Sequence, residues 1–470
     1  MMGTIIAEKG ITFKEFEKKT YEEVCFLGQQ RTKQFLERYD KELMMSRDRS
    51  SYRHKGYRQT TIKTIYGEVT YKRAIYEVVR ENGKKEFVFL LDETLQIGSV
   101  GLISLNVAEK LVSGITELSY KECAAQLSRT TGQTISPMGV WNVIQALGES
   151  VQEDEKALVR KNKAGELNEG EEIPVLFEET DGINLKLQKE VQKSAELKMG
   201  IAYDGWRKTG TNRYSLNGKV VTAGFAGAKE FQTCREAMIA EKYNVDEVKV
   251  RIMNADGAGW TKSVIDPETV FQLDQFHRNK AIRENIPYGD VINAAHDYLK
   301  EKDVPGLFRY LETYRDSLLS TDEIAKADVL ITYLRNNADG LLPYKDRITL
   351  PESPKGLYYR DMGTMEGNNW AVIAKRMKGR HASWTIKGGN NLAKILAKKC
   401  SDRLSDVTAK MKEPKFRTDL VEKIEESILS AAKVGQMSGK GYEYGKQGEM
   451  PILYGATRGA KDVFLSLAGL

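Results

Sequence analysis

Between residues 248 and 279 the chain reads VKVRIMNADGAGWTKSVIDPETVFQLDQFHRN. Val248, Val250 and Ile252 alternate with charged or polar neighbours, the period of a β-strand with one buried face. That strand delivers Asp256 into a turn loosened by Gly257 and Gly259. A short helix, a second strand and another polar cluster follow. In α/β folds, ligands sit in the crevice beyond the carboxyl ends of the strands. Glycines at such a turn let backbone come close to a phosphate or a metal.

Taken from the start, Phe13, Phe16, Tyr21, Val24, Leu27, Leu36, Tyr39 and Leu43 recur at three-to-four spacing or its multiples. The pattern predicts an amphipathic helix over 12–45 that packs on its own domain. No strict heptad is sustained, which argues against a dimerising coiled coil. Past Arg47 the period changes. Val69, Tyr71, Ile75 and Val79 lie in β-favouring sequence, and Asn82-Gly83 predicts a tight hairpin. Residues 104–148 read as three helices. Ser119 with Glu122 forms a capping box, and Pro137 opens the last helix. The last two helices have helix-turn-helix-like spacing, with Ser136 to Gln145 as the candidate recognition helix. The polar stretch KNKAGELNEGEE, 161–172, reads as a linker.

A second domain is expected from Ile173. IPVLFEETDG is an apolar strand ending at Asp181-Gly182. LKMGIAYDGW and YSLNGKVVTAGFAG read as two more strands, KEFQTCREAMIAEKYN as a helix, and TVFQLDQF as a fifth strand after the one that leads to Asp256. Three strands, a helix, a strand, a helix and a strand is the order of the ribonuclease-H-like fold, an α/β class. That fold carries one carboxylate on its first strand and one at the end of its fourth. Here these are Asp181 and Asp256, 75 residues apart. Farther on, Leu307, Phe308, Leu311, Tyr314 and Leu318 share one helical face, and Ser320 with Glu323 opens another helix holding Ile324, Ala327, Leu330 and Leu334. A helical insertion is therefore expected. Thr364 is placed to cap a helix with Glu366 on its first turn.

Composition narrows the class. With 470 residues, 41% hydrophobic and 29% charged, the chain suits a globular protein of several domains. Cys25, Cys123, Cys234 and Cys400 lie far apart with no CxxC pair, which argues against a zinc ribbon or a disulfide framework and fits a reducing cytosol. The N-terminal residues lack an apolar signal core and no run of about 18 apolar residues occurs, so no membrane span is expected and a cytoplasmic location is.

The net charge of +6 is unevenly placed. Residues 47–80 carry nine Lys/Arg against three acids, with tyrosines interleaved; Arg53, Lys55, Arg58, Lys72 and Arg73 are candidate DNA contacts. Charge alone fits a solvated sheet face equally well. Residues 371–400 carry eight Lys/Arg and no acid, with Trp370 and Trp384 nearby. Such a run favours a DNA channel, with Lys375, Arg376, Lys378, Arg380 and Lys387 as contacts. The final residues after 434 hold eight glycines and finish on VFLSLAGL, with no evident chemistry.

The blocks MNADGAGW, QLDQFHRNKAI and MEGNNWAVIAKRMKGRHASWTIKGGNNLAKIL, with YRHKGYRQTTIKTIYGEVTYKRAIY near the start, resemble bacterial insertion-sequence transposases of the Mutator-like DDE superfamily. The closest branch is one often filed as an uncharacterised protein family. The resemblance runs in order from about residue 47 to about 400. It implies a catalytic and metal-binding triad of Asp181, Asp256 and Glu366, the last preferred to Glu352 and Asp361. It also implies a helical insertion between the second and third carboxylates, and a polar-plus-His motif after the second. In relatives that motif is often Cys-x-x-His; here it is Asp274-Gln275-Phe276-His277, with no thiolate.

The chemistry implied is phosphodiester cleavage and strand transfer with two Mg²⁺ ions, for which Mn²⁺ can stand in, held by hard oxygen donors. Double-stranded DNA, at element ends and target, is the expected partner. A homodimer or higher oligomer on DNA, associated with the nucleoid, is the expected state. The alternatives are a metal-dependent nuclease without strand transfer and a non-catalytic DNA-binding derivative. The expected organisation is an N-terminal helix (1–46), a basic β-rich segment (47–100), a helix-turn-helix-like DNA-binding region (101–160) and the linker (161–172). A ribonuclease-H-like catalytic domain (173–284 and 351–433), interrupted by the insertion (285–350), and a Gly-rich tail (434–470) complete it.

Overall fold

The first helix, α1 (Phe13–Ser46), starts on a capping box: the Thr12 hydroxyl accepts from the Glu15 amide and the Glu15 carboxylate accepts from the Thr12 amide. In this computed structural model, residues 12–80, 83–95, 102–131, 134–262, 267–379, 381–409, 411 and 416–424 are described. Only the second half of α1 buries its apolar face, through Leu36 and Tyr39; Phe13, Phe16, Tyr21, Val24 and Leu27 are exposed. The expected amphipathic packing thus holds for half the helix. A three-stranded antiparallel sheet lies against it, formed by β1 (Arg53–Thr64), β2 (Gly67–Val79) and β3 (Lys85–Val88). Val79 pairs with Lys85 across the expected second hairpin; Asn82 itself lies outside the described residues. Helix α2 (Leu90–Leu95) follows, and Leu36, Tyr39, Ile62, Val69, Tyr71, Leu91, Leu420 and Ile424 form one core.

The chain folds as two compact units: residues 1–107, 126–134 and 411–470 in one, residues 108–125 and 135–410 in the other. This corrects three expected boundaries. Residues 101–160 are divided between the two units. The second unit stops at 410 rather than 433, because Phe416, Leu420 and Ile424 pack into the core around Tyr39. The linker is shorter than expected, because the last of three helices, α3 (Leu105–Ile115), α4 (Tyr120–Thr131) and α5 (Pro137–Lys163), runs on to Lys163. The capping box at Ser119/Glu122 and the Ser136 cap before Pro137 are both present.

Helix α5 buries Val140, Val143, Ile144, Leu147, Gly148 and Val151 on one stripe. A Cβ at Gly148 would come within 2.8 Å of the Asn391 backbone, so glycine permits the close crossing of two helices there. The candidate recognition helix thus buries one face, while Met138, Trp141 and Asn142 stay exposed. Its Gln145 accepts from Asn391 Nδ2 at 2.7 Å and its Gln152 accepts from Asn390 Nδ2 at 2.9 Å.

The second unit is built on a five-stranded sheet. Strand β4 (Val175–Lys186) pairs antiparallel with β5 (Ser194–Tyr203). Two strands, β6 (Gly205–Gly210) and β7 (Arg213–Asn217), leave the sheet before β8 (Val220–Gly224) returns antiparallel to β5. Helix α6 (Ala228–Lys242) leads to β9 (Val250–Ala255), which runs parallel to β4. A single turn, α7 (Gly259–Lys262), precedes β10 (Val270–Leu273), parallel to β9. The strand order is β10-β9-β4-β5-β8. Sequence pattern merges β5 with β6 and β7 with β8, because Asp204-Gly205 and Gly218-Lys219 break apolar runs only briefly.

Helices α8 (Gln275–Asn285), α9 (Gly289–Lys300), α10 (Val304–Ser317) and α11 (Thr321–Asn336) form the expected insertion, beginning ten residues earlier than position 285. Their core includes Ile282, Leu299, Leu307, Leu311, Leu330 and Leu334. The chain then adds a short strand, β11 (Leu357–Tyr358), to the edge of β6. Helix α12 (Met365–Asn369) passes through a wide π-helical turn, Trp370–Ala374, into α13 (Lys375–Met377). Helices α14 (Ile386–Cys400) and α15 (Asp406–Ala409) close the unit. Among the described residues no helix is long and apolar enough to cross a membrane.

Candidate active site

Strand β4 alternates, so Glu178 and Thr180 face one way and Glu179 and Asp181 the other. The first pair faces α6. Glu178 is fully buried against Arg235, at 2.6 Å, and Arg251, at 2.8 Å. The second pair faces α12. Asp181 lies within the strand rather than at its end, since pairing with β5 continues to Lys186. Its Oδ1 accepts from the Gly182 amide at 2.7 Å and its Oδ2 from Asn369 Nδ2 at 2.5 Å.

The parallel register of β4 and β9 ends with Thr180 opposite Ala255, so the next residue of each strand, Asp181 and Asp256, is a carboxylate. The Ala258 amide donates to Asp256 Oδ1 at 2.9 Å, and the Tyr333 hydroxyl donates to its carbonyl at 2.8 Å. Burial pushes the Asp256 carboxyl above the usual carboxylate range, and the negative charge of Asp181 adds to the rise.

At the end of β10, Asp274 caps α8: its Oδ1 accepts from the His277 amide at 3.1 Å and its Oδ2 from Asn254 Nδ2 at 2.8 Å. Asp274 is therefore a helix cap and a network acceptor. His277 Nε2 lies 3.7 Å from Asp181 Oδ2. The nearby Asp181 carboxylate, helped by the charges of Asp274 and Asp256, raises the imidazole above its ordinary value against the opposing effect of burial.

Glu366 sits on the first turn of α12 and lines one narrow cleft with Asp181, Asp274 and His277. Its rivals do not line that cleft: Glu352 and Asp361 are exposed, as is Glu366 itself, and Asp361 is paired with Lys345 at 3.0 Å. Thr364 stands at the N-cap position, as expected, yet its hydroxyl does not cap the helix. It donates to Glu179 Oε1 at 2.6 Å. Glu179, fully buried, also accepts from the Gly363 and Thr364 amides, from Asn254 Nδ2 and from the Tyr203 hydroxyl. This clasp ties β4 to the residues immediately before Glu366. Burial raises the Glu179 carboxyl, and its donors pull the other way.

Sequence reasoning passes over Glu179, Asn254 and Asn369. Period-two spacing from Asp181 and Asp256, and three-residue spacing from Glu366, would have found them. Among the described residues, no three His, Cys, Asp or Glu side chains already stand around one point as ligands of an ion. The acids share a region, and the sphere is not closed.

The expected DNA contacts fare unevenly. Arg53, Lys55, Arg58 and Lys72 are exposed on the β1–β2 hairpin, with Lys55 3.2 Å from Glu77. Arg73 is turned inward, paired with Asp92 and laid over the Phe89 ring. Part of the basic run after Glu366 is paired inside its own unit. Lys375 and Lys399 pair with Glu117, Lys394 with Glu155 at 2.6 Å, and Lys387 with Glu149 at 2.7 Å. Arg376 donates to the Ile115 carbonyl and lies over the Tyr120 and Trp384 rings. Lys378 is exposed, and Arg380 lies outside the described residues. Part of the one-sided run is therefore paired with acids far away in sequence, while Lys375, Lys378 and Lys387 stay exposed.

Residues 6–413 match the model of an uncharacterised protein family, UPF0236. A relative from Caldanaerobacter subterraneus subsp. tengcongensis is 25% identical over 342 residues, 71% of this chain and 66% of the relative; its name joins eleven gene designations of that genome. The chain thus spans just under two thirds of that relative. Another from Streptococcus gallolyticus is 23% identical over 77% of each chain. A third, again from the Caldanaerobacter strain, is 24% identical over 83% of this chain and 79% of its own length. All three are described only as UPF0236 proteins.

Proposed function

The chain belongs to the uncharacterised protein family UPF0236, and on that footing we propose that it is a DNA transposase. Its cleft would cut phosphodiester bonds at the ends of a mobile element and join those ends to target DNA. The observation that carries the reading is the approach of remote acids: Asp181 and Glu366 line one cleft, and the register of β4 and β9 sets Asp181 and Asp256 on neighbouring strands. Two further features support it. A sheet of three antiparallel strands extended by two parallel ones, in the order β8-β5-β4-β9-β10, is the arrangement expected of a ribonuclease-H-like domain. A relative that recurs under eleven gene designations in one genome is what an element that multiplies leaves behind.

The donor set suits a hard divalent cation such as Mg²⁺ or Mn²⁺, being all carboxylate with no thiolate. Asp181, Asp256 and Glu366 would hold it, and binding would draw them closer than they now stand. When bound, such ions supply activation of the attacking oxygen and neutralisation of the leaving one. The chain's own part is placement. Backbone amides fix one oxygen each of Asp181 and Asp256. The Glu179 clasp fixes the start of α12, and His277 balances the charge of Asp181. Water breaks the bond at the element end and leaves a 3′-hydroxyl. That hydroxyl then attacks a target phosphodiester, so one ester is exchanged for another without a covalent enzyme intermediate.

The test uses a duplex carrying the DNA that flanks the gene, with Mg²⁺. Cut and joined products support transposition. Cutting without joining would reassign the chain to a nuclease, and a gel shift without cutting to a DNA-binding derivative.

A further inference from the structure

The ion pairs made by part of the Lys/Arg run after Glu366 leave open where else this unit could grip a polyanion. A groove of about 600 Å³ between α5 and α6 answers that description. Its floor is closed by a buried pair, Lys394 with Glu155 at 2.6 Å, both side chains 9% exposed. On its rim stand Arg160 and Lys163, in the last turn of α5, and Lys229, in the first turn of α6. All three are exposed, and among the described residues none of these side chains has an acid partner. Lys156 adds a fourth charge, though it is shared with Glu153 at 2.9 Å. Glu230 is the single acid on the rim to set against them.

Two features say what the cations would hold. The α6 N-terminus opens at Gly227 with no side-chain cap and open space where a Cβ would lie, so its first-turn amides add to the positive field. Phe225 forms part of the wall, half-exposed, with its amide held by Asn390 Oδ1 at 2.9 Å. Cations along a groove with an aromatic face are the chemistry of single-stranded nucleic-acid binding, in which phosphates track the charges and a base stacks on the ring. The volume falls within the range of ordinary ligand sites.

We infer that the α5–α6 groove is a nucleic-acid-binding site, distinct in its residues from the carboxylate cleft, that takes a strand with phosphates on Arg160, Lys163 and Lys229 and a base against Phe225. This goes beyond the cleavage chemistry proposed above and does not depend on it.

Fluorescence anisotropy of the full chain with a labelled single-stranded oligonucleotide, in EDTA so that no cleavage can occur, tests the inference. The triple variant Arg160→Glu, Lys163→Glu, Lys229→Glu is expected to bind at least about tenfold more weakly at 150 mM salt. The slope of log affinity against log salt should fall by about 2, as for three lost phosphate contacts. A control with the same change of charge on exposed cations outside the groove, Lys208→Glu, Lys249→Glu, Lys300→Glu, is expected to change affinity less than threefold. Equal losses in the two triples would overturn the site. Phe225→Ala is expected to weaken oligonucleotide binding about tenfold and to leave binding of inorganic polyphosphate unchanged. No penalty from Phe225→Ala, with polyphosphate competing as well as the oligonucleotide, would make the groove a plain polyanion site and overturn the nucleic-acid assignment. Groove binding without any cutting of flanking duplexes would sink the transposase reading alone; cutting with no groove effect would sink this one alone.

Discussion

Replacing Glu179 separates the role of its charge from that of its acceptors. In the native clasp, Oε2 takes three N–H groups: the Gly363 amide at 3.0 Å, the Thr364 amide at 2.9 Å and Asn254 Nδ2 at 3.1 Å. Its Oε1 takes two hydroxyls, of Tyr203 at 2.7 Å and Thr364 at 2.6 Å. Hydroxyls can turn round and accept; amide N–H groups cannot. Glu179→Gln can therefore keep its oxygen toward the three N–H groups and offer its NH₂ to the hydroxyls. We expect it to cost less than about 1 kcal/mol. Glu179→Ala strands the three N–H groups in a buried site, each worth roughly 1–2 kcal/mol, for a total of about 3–6 kcal/mol before any cavity term. For a unit of this size that is a fall of roughly 6–15 °C in the melting midpoint. Burial raises the Glu179 carboxyl, so its titration favours the folded state below the ordinary value of 4.5, and that contribution is lost as pH rises through the folded value. The glutamine variant should accordingly gain on wild type with increasing pH. Differential scanning calorimetry of both variants between pH 5 and 8 gives the readout. Equal destabilisation by Gln and Ala would show that charge, not acceptor geometry, holds the clasp, and would refute the reasoning.

Four further outcomes follow from the same structure. Asp256→Asn should abolish cutting yet raise the melting midpoint of the metal-free protein by a few degrees, since it removes a half-buried carboxyl raised by burial and by Asp181; a lower midpoint would contradict this. His277, raised by Asp181, contributes stability present below about pH 6.5 and lost as pH rises through its folded value, so the midpoint gap between wild type and His277→Gln should narrow from pH 6 to pH 8. Asp40, pushed up by burial to about 6, behaves with the same sign: Asp40→Asn should gain on wild type as pH rises from 5 to 8, read by urea denaturation. Arg235→Met leaves Glu178, itself fully buried, short of a partner and should cost about 3–5 kcal/mol by the same measurement.

What the sequence makes legible here is what period and local capping encode. The apolar run before Asp181 and the alternation of Val248, Val250 and Ile252 before Asp256 mark two strands, and the insertion helices carry their own caps at Asp303 and Ser320. Resemblance of the EGNNW block supplies Glu366, which no local pattern singles out from Glu352 or Asp361. The rest depends on partners remote in sequence. Lys387 reads as an unpaired cation until Glu149, on another helix, is seen beside it. The N-terminal part of α5 looks like a recognition helix because a short window cannot show that the same stripe continues through Val151 and packs against Asn391. Arg73 reads as a free cation because Asp92 and Phe89 reach it only once β2 and α2 are folded.

The central claim is that Asp181, Asp256 and Glu366 meet at a single ion site, and iron-directed backbone scission tests it most directly. Fe²⁺ loaded in place of Mg²⁺, with ascorbate and peroxide, cuts the chain within reach of the bound ion. The account predicts cuts clustered near residues 181, 256 and 366 together, suppressed by excess Mg²⁺ and lost from all three places at once in Asp181→Asn. Cuts confined to one of the three segments, or a pattern unchanged in Asp181→Asn, would contradict it.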